Sequence, residues 1–555
     1  MGVFQLRATV RNFAAKVVTS ARAELFSGWQ RRPLRETAVL YESFSGNGML
    51  CNPEAIFRAL LDDPEFAELN HVWVLRDRRE NAATITEFRW HPRVRFVRQG
   101  SLAYFHALAT SGYLINNATF PALFGRRDGQ TYLNTWHGTP LKKMGYDIGD
   151  PASRVANVLR NFLAADFLLS ANTFMTERLY ESAHRLGGIY AGTVIEEGYP
   201  RIDHQFADVA TIASHRATLE EAGIAIGDRE VILYAPTWKG TSFTKPDDDI
   251  IELAARLDEL DRLIDTTRYV VLLKTHQVVH HLAHTVPGLA ARLIPNTMPT
   301  NSLLAFTQVL VTDYSSIFFD FLATGRPMIF LTPDIAQYSD YRGFYLESAE
   351  WPGAVVSSIA EVAAEINRLS VSDCVPANPN YERMQATISP HEEGNATTRV
   401  IDVVFRGRTK NRVLRTLTGP KGRRILVSGG NLRQGSQATA LLERLDEFDH
   451  DRDDVTVVFA NSYRRDAISI QKRINPRVRQ IARVGSMNGL WLSRRRRTLA
   501  RAVGLRESVF SGSDQALWDA EWLRCFGLST FDEIHDFGEN SPFLGMLLKN
   551  APQSR

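Results

Sequence analysis

Cysteine is scarce. The three cysteines among 555 residues, Cys51, Cys374 and Cys525, lie far apart and make neither a disulfide framework nor a metal cluster, which fits a reducing compartment such as the cytoplasm. Long apolar runs are missing too, and nothing approaches the length a bilayer span needs. No N-terminal charged, apolar and small-residue pattern marks a signal peptide, and Leu6 stands where a myristoylation signal wants Ser or Thr. Excess charge is absent: a net +3 is too small to imply a nucleic-acid partner. Several chemistries lack their motif. There is no GxxxxGK[ST] loop, no GxSxG elbow and no HExxH frame around His280, His281 and His284. Asp247-Asp248-Asp249 precedes an apolar helical stretch and reads as helix N-terminal acids, not a metal triplet.

What is present is an ordinary globular composition, 44% hydrophobic and 23% charged, long enough for about three domains. In residues 3–29, Val3, Leu6, Val10, Phe13 and Val17 repeat at spacings of three and four, with Arg7, Arg11, Lys16 and Arg22 largely off that stripe. Residues 1–32 therefore read as a basic amphipathic helix, which either lies on an anionic membrane or packs its stripe on the domain behind it.

From Glu36 to about Tyr199 strands and helices alternate, with strands expected at Ala38–Tyr41, His71–Leu75, Val94–Val97, Tyr113–Ile115 and Tyr132–Asn134 and a helix at Leu102–Thr110. A second series places strands at Val231–Tyr234, Tyr269–Leu273, Val309–Val311 and Met328–Phe330, with helix-forming Ala396–Phe405 able to close that half. Alternation of this kind argues parallel sheets covered by helices. The expected class is α/β, with Rossmann-like domains over 33–210 and 211–405. A basic linker over 406–423 follows, its cations otherwise a solvated run. After it, Arg424-Ile-Leu-Val-Ser-Gly-Gly430 opens a Rossmann-like half-domain over 424–555, and Arg494–Arg497 form a second basic cluster.

The richest stretch is Thr312-Asp-Tyr-Ser-Ser-Ile-Phe-Phe-Asp320. A buried strand ends there and an apolar helix begins, so Ser315 and Ser316 sit where orphan N–H groups suit a phosphate, or where they serve only as N-caps. Asn134-Thr-Trp-His-Gly-Thr-Pro140 follows another strand. Gly138 permits close backbone approach, Thr139 can cap a helix with Pro140 in its first turn, and His137 can take a proton near neutral pH or hydrogen-bond to backbone as a buried histidine does. Lys274 and His276 sit at a third strand end, suited to phosphate oxygens, or are a surface lysine and a loop histidine. Arg201, in Gly198-Tyr-Pro-Arg-Ile-Asp203, can fork onto a phosphate or pair locally with Asp203. Trp238, in Tyr234-Ala-Pro-Thr-Trp238, flanks a base or polyol, or belongs to the core.

Taken together, WHGTP, GYPRID, YAPTW, KTH and TDYSSIFFD in this order resemble the CDP-glycerol glycerophosphotransferase family, makers of teichoic-acid-type glycerol- and ribitol-phosphate polymers. Ser43-Phe-Ser-Gly46 with Asn52-Pro53 matches its opening motif and Gly394-Asn-Ala396 its closing helix, so the similarity covers about residues 38–405. The resemblance implies a GT-B-like pair of domains, the first for the acceptor and the second for a CDP-polyol donor. It implies attack by an acceptor hydroxyl on the distal phosphate with release of CMP, and no metal or other cofactor. His137 takes the position of the general base and His276 one near the donor phosphates, while Arg201, Asp313, Ser315 and Ser316 fall on donor-site positions. It also implies a lipid-linked glycan or polymer as acceptor and peripheral attachment to the cytoplasmic membrane face. Gln277 stands where the family usually has Pro and Lys239 where Arg is common, which bears on which activated polyol is used. The region after 424 resembles the N-terminal half of a GT-B glycosyltransferase and is expected to bind acceptor or to dock. The competing expectations are a nucleotide-sugar glycosyltransferase, which would release a nucleoside diphosphate, and a non-catalytic envelope scaffold.

Overall fold

The computed structural model describes residues 18–19, 21–237, 247–275, 280, 283–337, 343–371, 378–419, 422–489, 511–538 and 540–552. Three sheets organise them. The first takes β1 (Arg35–Glu42), β2 (Asn70–Leu75), β3 (Val94–Arg98), β4 (Ser111–Asn116), β5 (Thr131–Asn134), β6 (Phe167–Ser170) and β7 (Thr193–Glu196), all parallel, in the order β7-β6-β5-β4-β1-β2-β3. The second takes β8 (Glu230–Ala235), β9 (Tyr269–Leu273), β10 (Thr307–Thr312), β11 (Met328–Leu331) and β12 (Ala354–Val356), parallel in the order β12-β11-β10-β8-β9. The central strands β8 and β10 and the C-terminal half of β1 are buried, as parallel strands covered on both faces must be, while β3 and β12 at the sheet edges are partly exposed. In each sheet the order reverses beside the first strand, between β1 and β4 and between β8 and β10, which opens a crevice at the strands' C-terminal ends.

The chain crosses between these lobes twice, side by side. It leaves the first through the 3₁₀ helix Pro200–Phe206 and returns through helix Ala396–Val404. That helix does not close the second half, as its place in the sequence suggests. Ala396, Val400, Ile401 and Val403 are buried there, and the last three join the first lobe's core. Asp203 caps it, its carboxylate accepting from the amides of Ala396 (3.0 Å) and Thr397 (2.7 Å).

The basic stretch after that helix is built into the fold. Arg406, Arg408 and Arg412 pair with Asp402, and Arg406 also with Asp63 and Glu65. β13 (Leu414–Arg415) adds to the first sheet antiparallel to β7, and Arg415 pairs with Glu196. The third sheet follows, parallel in the order β16-β15-β14-β17, from β14 (Arg424–Gly430), β15 (Asp454–Ala460), β16 (Arg479–Arg483) and β17 (Glu533–Asp536). It does not stand apart. Leu426, Val458, Trp518, Trp522 and Phe526 share the first lobe's core, Ala152 and Ala156 enter the third sheet's own core, and Ser529 donates to the Ile189 carbonyl at 2.6 Å.

The amphipathic stripe from Val3 to Val17 lies outside the described residues. The helical stretch over 21–29 that follows it packs on the first lobe, with Phe26 edge-on to Phe105 and Trp29 edge-on to His106. Among the described residues no helix is long and apolar enough to cross a membrane.

Candidate functional site

The C-terminal ends of the first two sheets face each other across a cleft of about 530 Å³. His137 stands on its first wall. Asn134, the last residue of β5, accepts the Trp136 amide at 3.0 Å, and Trp136 turns through a φ of 47°, strained for a residue with a Cβ. The turned chain stacks the His137 ring on Trp136, centroids 4.3 Å apart, with Phe44 edge-on. His137 Nδ1 lies 2.6 Å from the Asn117 carbonyl. A carbonyl only accepts, so Nδ1 carries the hydrogen and Nε2 keeps its lone pair. Burial pushes the ring down to about 4, the Asn117 bond opposing this and the Arg201 charge adding to it. At neutral pH the imidazole is therefore a free base.

Arg201 bolts the two walls together. Its Nη1 donates to the His137 carbonyl (2.7 Å) and to Cys51 Sγ (3.2 Å), and its Nη2 to Asp320 Oδ1 (2.8 Å) in the second lobe. The local alternative, a pair with Asp203, is not what forms, because Asp203 is spent on its helix cap. Asp320 also accepts from Asn301 Nδ2 at 3.0 Å. Gly138 lies between the walls: a Cβ there would meet Ser316 Oγ at 3.4 Å and Arg201 Nη2 at 3.6 Å. Thr139 is buried and takes a bond from Asn172 Nδ2, but no helix starts at it. Instead the following residues cross to the second lobe. Lys142 bridges Phe344, Lys143 N donates to the Gly343 carbonyl and Tyr345 N to the Leu141 carbonyl, so the backbone groups that a helix would have used are satisfied between lobes.

The second wall comes from β8, β9 and β10. Asp313, buried at the end of β10, accepts the Thr237 amide on both carboxylate oxygens, at 2.8 and 2.9 Å. It shapes the loop after β8 from beneath and does not line the cleft. Lys274 does line it, its ammonium directed at the carbonyls of Pro295 (3.2 Å) and Met298 (3.4 Å), and burial lowers it to about 8. Beside it the buried hydroxyls of Thr275 and Thr237 have no partner among the described residues. Among the described residues Ser315 Oγ takes only a long bond from the Ile317 amide, 3.4 Å. Ser316 makes no cap bond with its side chain. Both serines therefore stay available to a ligand.

The cleft thus gathers His137, Gly138, Thr139, Arg201, Lys274, Ser315 and Ser316, while Asp313 sits beneath it and Trp238 and His276 lie outside the described residues. Sequence reasoning missed Cys51, Asn117, His204 and Asp320. Asp320 closes the quoted TDYSSIFFD motif and Asn52, beside Cys51, belongs to the opening motif that starts at Ser43, so their motifs were visible without their roles. Asn117 and His204 carried no signal of their own. Backbone strain marks the same place: Phe44, Cys51 and Trp136 all have positive φ and all line the cleft. Among the described residues no group of three or more His, Cys, Asp or Glu side chains is placed to hold a metal ion.

Residues 25–406 match the family model described as CDP-Glycerol:Poly(glycerophosphate) glycerophosphotransferase. The teichoic acid poly(glycerol phosphate) polymerase of Bacillus subtilis (strain 168) is 30% identical over 408 residues, 70% of this chain and 52% of that protein, so the match spans about half of that relative's length. The teichoic acid glycerol-phosphate transferase of Staphylococcus aureus (strain NCTC 8325 / PS 47) is 26% identical over 411 residues, 72% of this chain and 100% of that protein. A solved structure of the wall teichoic acid polymerase TagF superposes with a TM-score of 0.59 at 24% identity, covering 74% of this chain and 99% of that one, a likeness of fold.

Proposed function

Since the chain belongs to the CDP-glycerol:poly(glycerophosphate) glycerophosphotransferase family, we propose that it transfers a polyol phosphate, glycerol phosphate foremost, from a CDP-polyol to a hydroxyl of a membrane-linked glycan or teichoic-acid-like polymer. The acceptor oxygen forms a bond to the donor's distal phosphorus, the bridging P–O bond breaks, and CMP leaves with the bridging oxygen. His137 Nε2 receives the acceptor's proton. The observation that carries this reading is the opposition of a free-base His137 on one wall to Lys274, Ser315 and Ser316 on the other. With a base as weak as this ring, the proton moves as the phosphoryl group does and is not held beforehand.

In this reading the lobes form a GT-B-like pair, the first for the acceptor and the second for the donor, and the third sheet is a half-domain that docks or holds acceptor. Arg201 acts by holding the walls in register, since its guanidinium is already shared among His137, Cys51 and Asp320. No metal or other cofactor takes part, and the enzyme works at the cytoplasmic face of the membrane as a peripheral protein. Purified protein with CDP-glycerol, CDP-ribitol and membrane lipid acceptor tests this. Acceptor-dependent CMP that resists EDTA, and falls about 10²–10⁴-fold in His137→Ala, is the expected result. Release of a nucleoside diphosphate from a nucleotide sugar, or no change in His137→Ala, would overturn it.

A further inference from the structure

A second histidine lines the same cleft, and the transfer step leaves it unused. His204 lies on the 3₁₀ helix Pro200–Phe206, three residues beyond Arg201. Side chains at i and i+3 of such a helix eclipse, about 6 Å apart along its axis. His204 therefore continues, one turn on, the face that carries Arg201 to the His137 carbonyl. Its Nε2 is fixed at 2.9 Å from Glu54 Oε2. Glu54 is wholly buried on helix Cys51–Asp62 and also pairs with Arg58. A buried carboxylate that the fold holds ionised favours an imidazolium beside it. Glu54 is indeed lowered and His204 raised from their ordinary values, against the burial of each. With Nε2 spent on Glu54, Nδ1–H is a cationic donor with no acceptor among the described residues. Arg201 and Lys274, by contrast, direct their donors at protein oxygens and a thiol.

We propose that His204 binds a phosphodiester of the acceptor, the group joining the last polyol unit already attached, so that the cleft prefers acceptors already bearing polyol phosphate. This rests on the transferase reading and adds a specificity to it. The chemistry is a charge-assisted N–H to a phosphate oxygen, offered in the same cleft one helical turn beyond Arg201, whose guanidinium holds the His137 carbonyl. The charged and titratable groups facing His204 are Glu54, Arg58, Asp203 and His215.

The test uses glycerophosphoglycerol, a phosphodiester of two glycerols, as probe, titrated calorimetrically into the full chain. His204→Gln keeps a donor for Glu54 and removes the cation. The expected results are binding to the parent protein, at least about tenfold weaker binding to the variant, and affinity in the parent that falls as pH rises through the raised His204 value. Equal dissociation constants for parent and variant, or no pH dependence, would overturn the proposal. A second arm compares KM for a lipid-linked disaccharide with and without one glycerol phosphate. His204→Gln should erase the preference for the primed form, and an unchanged KM ratio counts against His204. Absence of CMP with His204-dependent binding intact would instead sink the transferase reading, so the two failures are separable.

Discussion

In the proposed transfer one side chain holds the donor and another deprotonates the acceptor, and the fold tunes the two in opposite ways. His137 is stripped of its proton by burial while a backbone carbonyl fixes which nitrogen is bare. Lys274 keeps its charge at neutral pH, since about 8 is still above it, and directs it at two carbonyls of the loop that includes Pro295 and Met298. Replacing Lys274 by Met should free that loop and remove the charge. Charge-assisted bonds of this kind contribute about 2 kcal/mol, so KM for the CDP-polyol should rise roughly thirtyfold. Steady-state kinetics at varied donor checks it, and an unchanged KM would mean the ammonium only packs. At this scale the sequence was readable as to which residues reach the cleft, as for His137 and Lys274 at their strand ends. It was unreadable where the role depends on a remote partner. Nothing in Asp313's neighbours says that it holds the amide of Thr237, or in Arg201's that Asp320 is its counter-ion.

Strands were legible as elements because buried parallel strands are short aliphatic runs; Tyr269–Leu273 matches its expectation to the residue, as helix Leu102–Thr110 does. Short or half-exposed strands such as β12 and β13 carry too little pattern to be seen. The expected helix after Thr139 failed for another reason: its cap residues were right, but the backbone had better partners across the lobes. Helix Ala396–Val404 was found and its neighbour was not, because a single chain's periodicity gives the face of a helix without saying what covers it. Its cap supplies a check. Asp203→Ala removes the acceptor of two N-terminal amides, and losing such a cap costs about 1–2 kcal/mol. A lower urea midpoint with unchanged slope is expected; no shift would mean that water replaces the carboxylate.

Three histidines that the fold keeps neutral make the molecule less stable in acid. Burial lowers His71 to about 3 and His137 and His184 to about 4. The unfolded chain protonates the same rings near the ordinary 6.5, so below that value it binds protons that the native state refuses. Stability present above about pH 6.5 is lost as pH falls toward 4. Urea midpoints at pH 7.5 and pH 5 should differ in that direction. An equal or higher midpoint at pH 5 would show that compensating carboxyl groups dominate.

The two neighbouring crossings give the molecule a further property. Asp203, near the point where the chain leaves the first lobe, holds the very amides on which it comes back, and Tyr199 N is bound to Glu392 Oε1 at 2.9 Å. The second lobe is thus an insertion, spliced into a first lobe whose core closes over the seam with Val400, Ile401 and Val403. Such a cassette can be exchanged or diversified as a unit while the first lobe stays folded around the same joint.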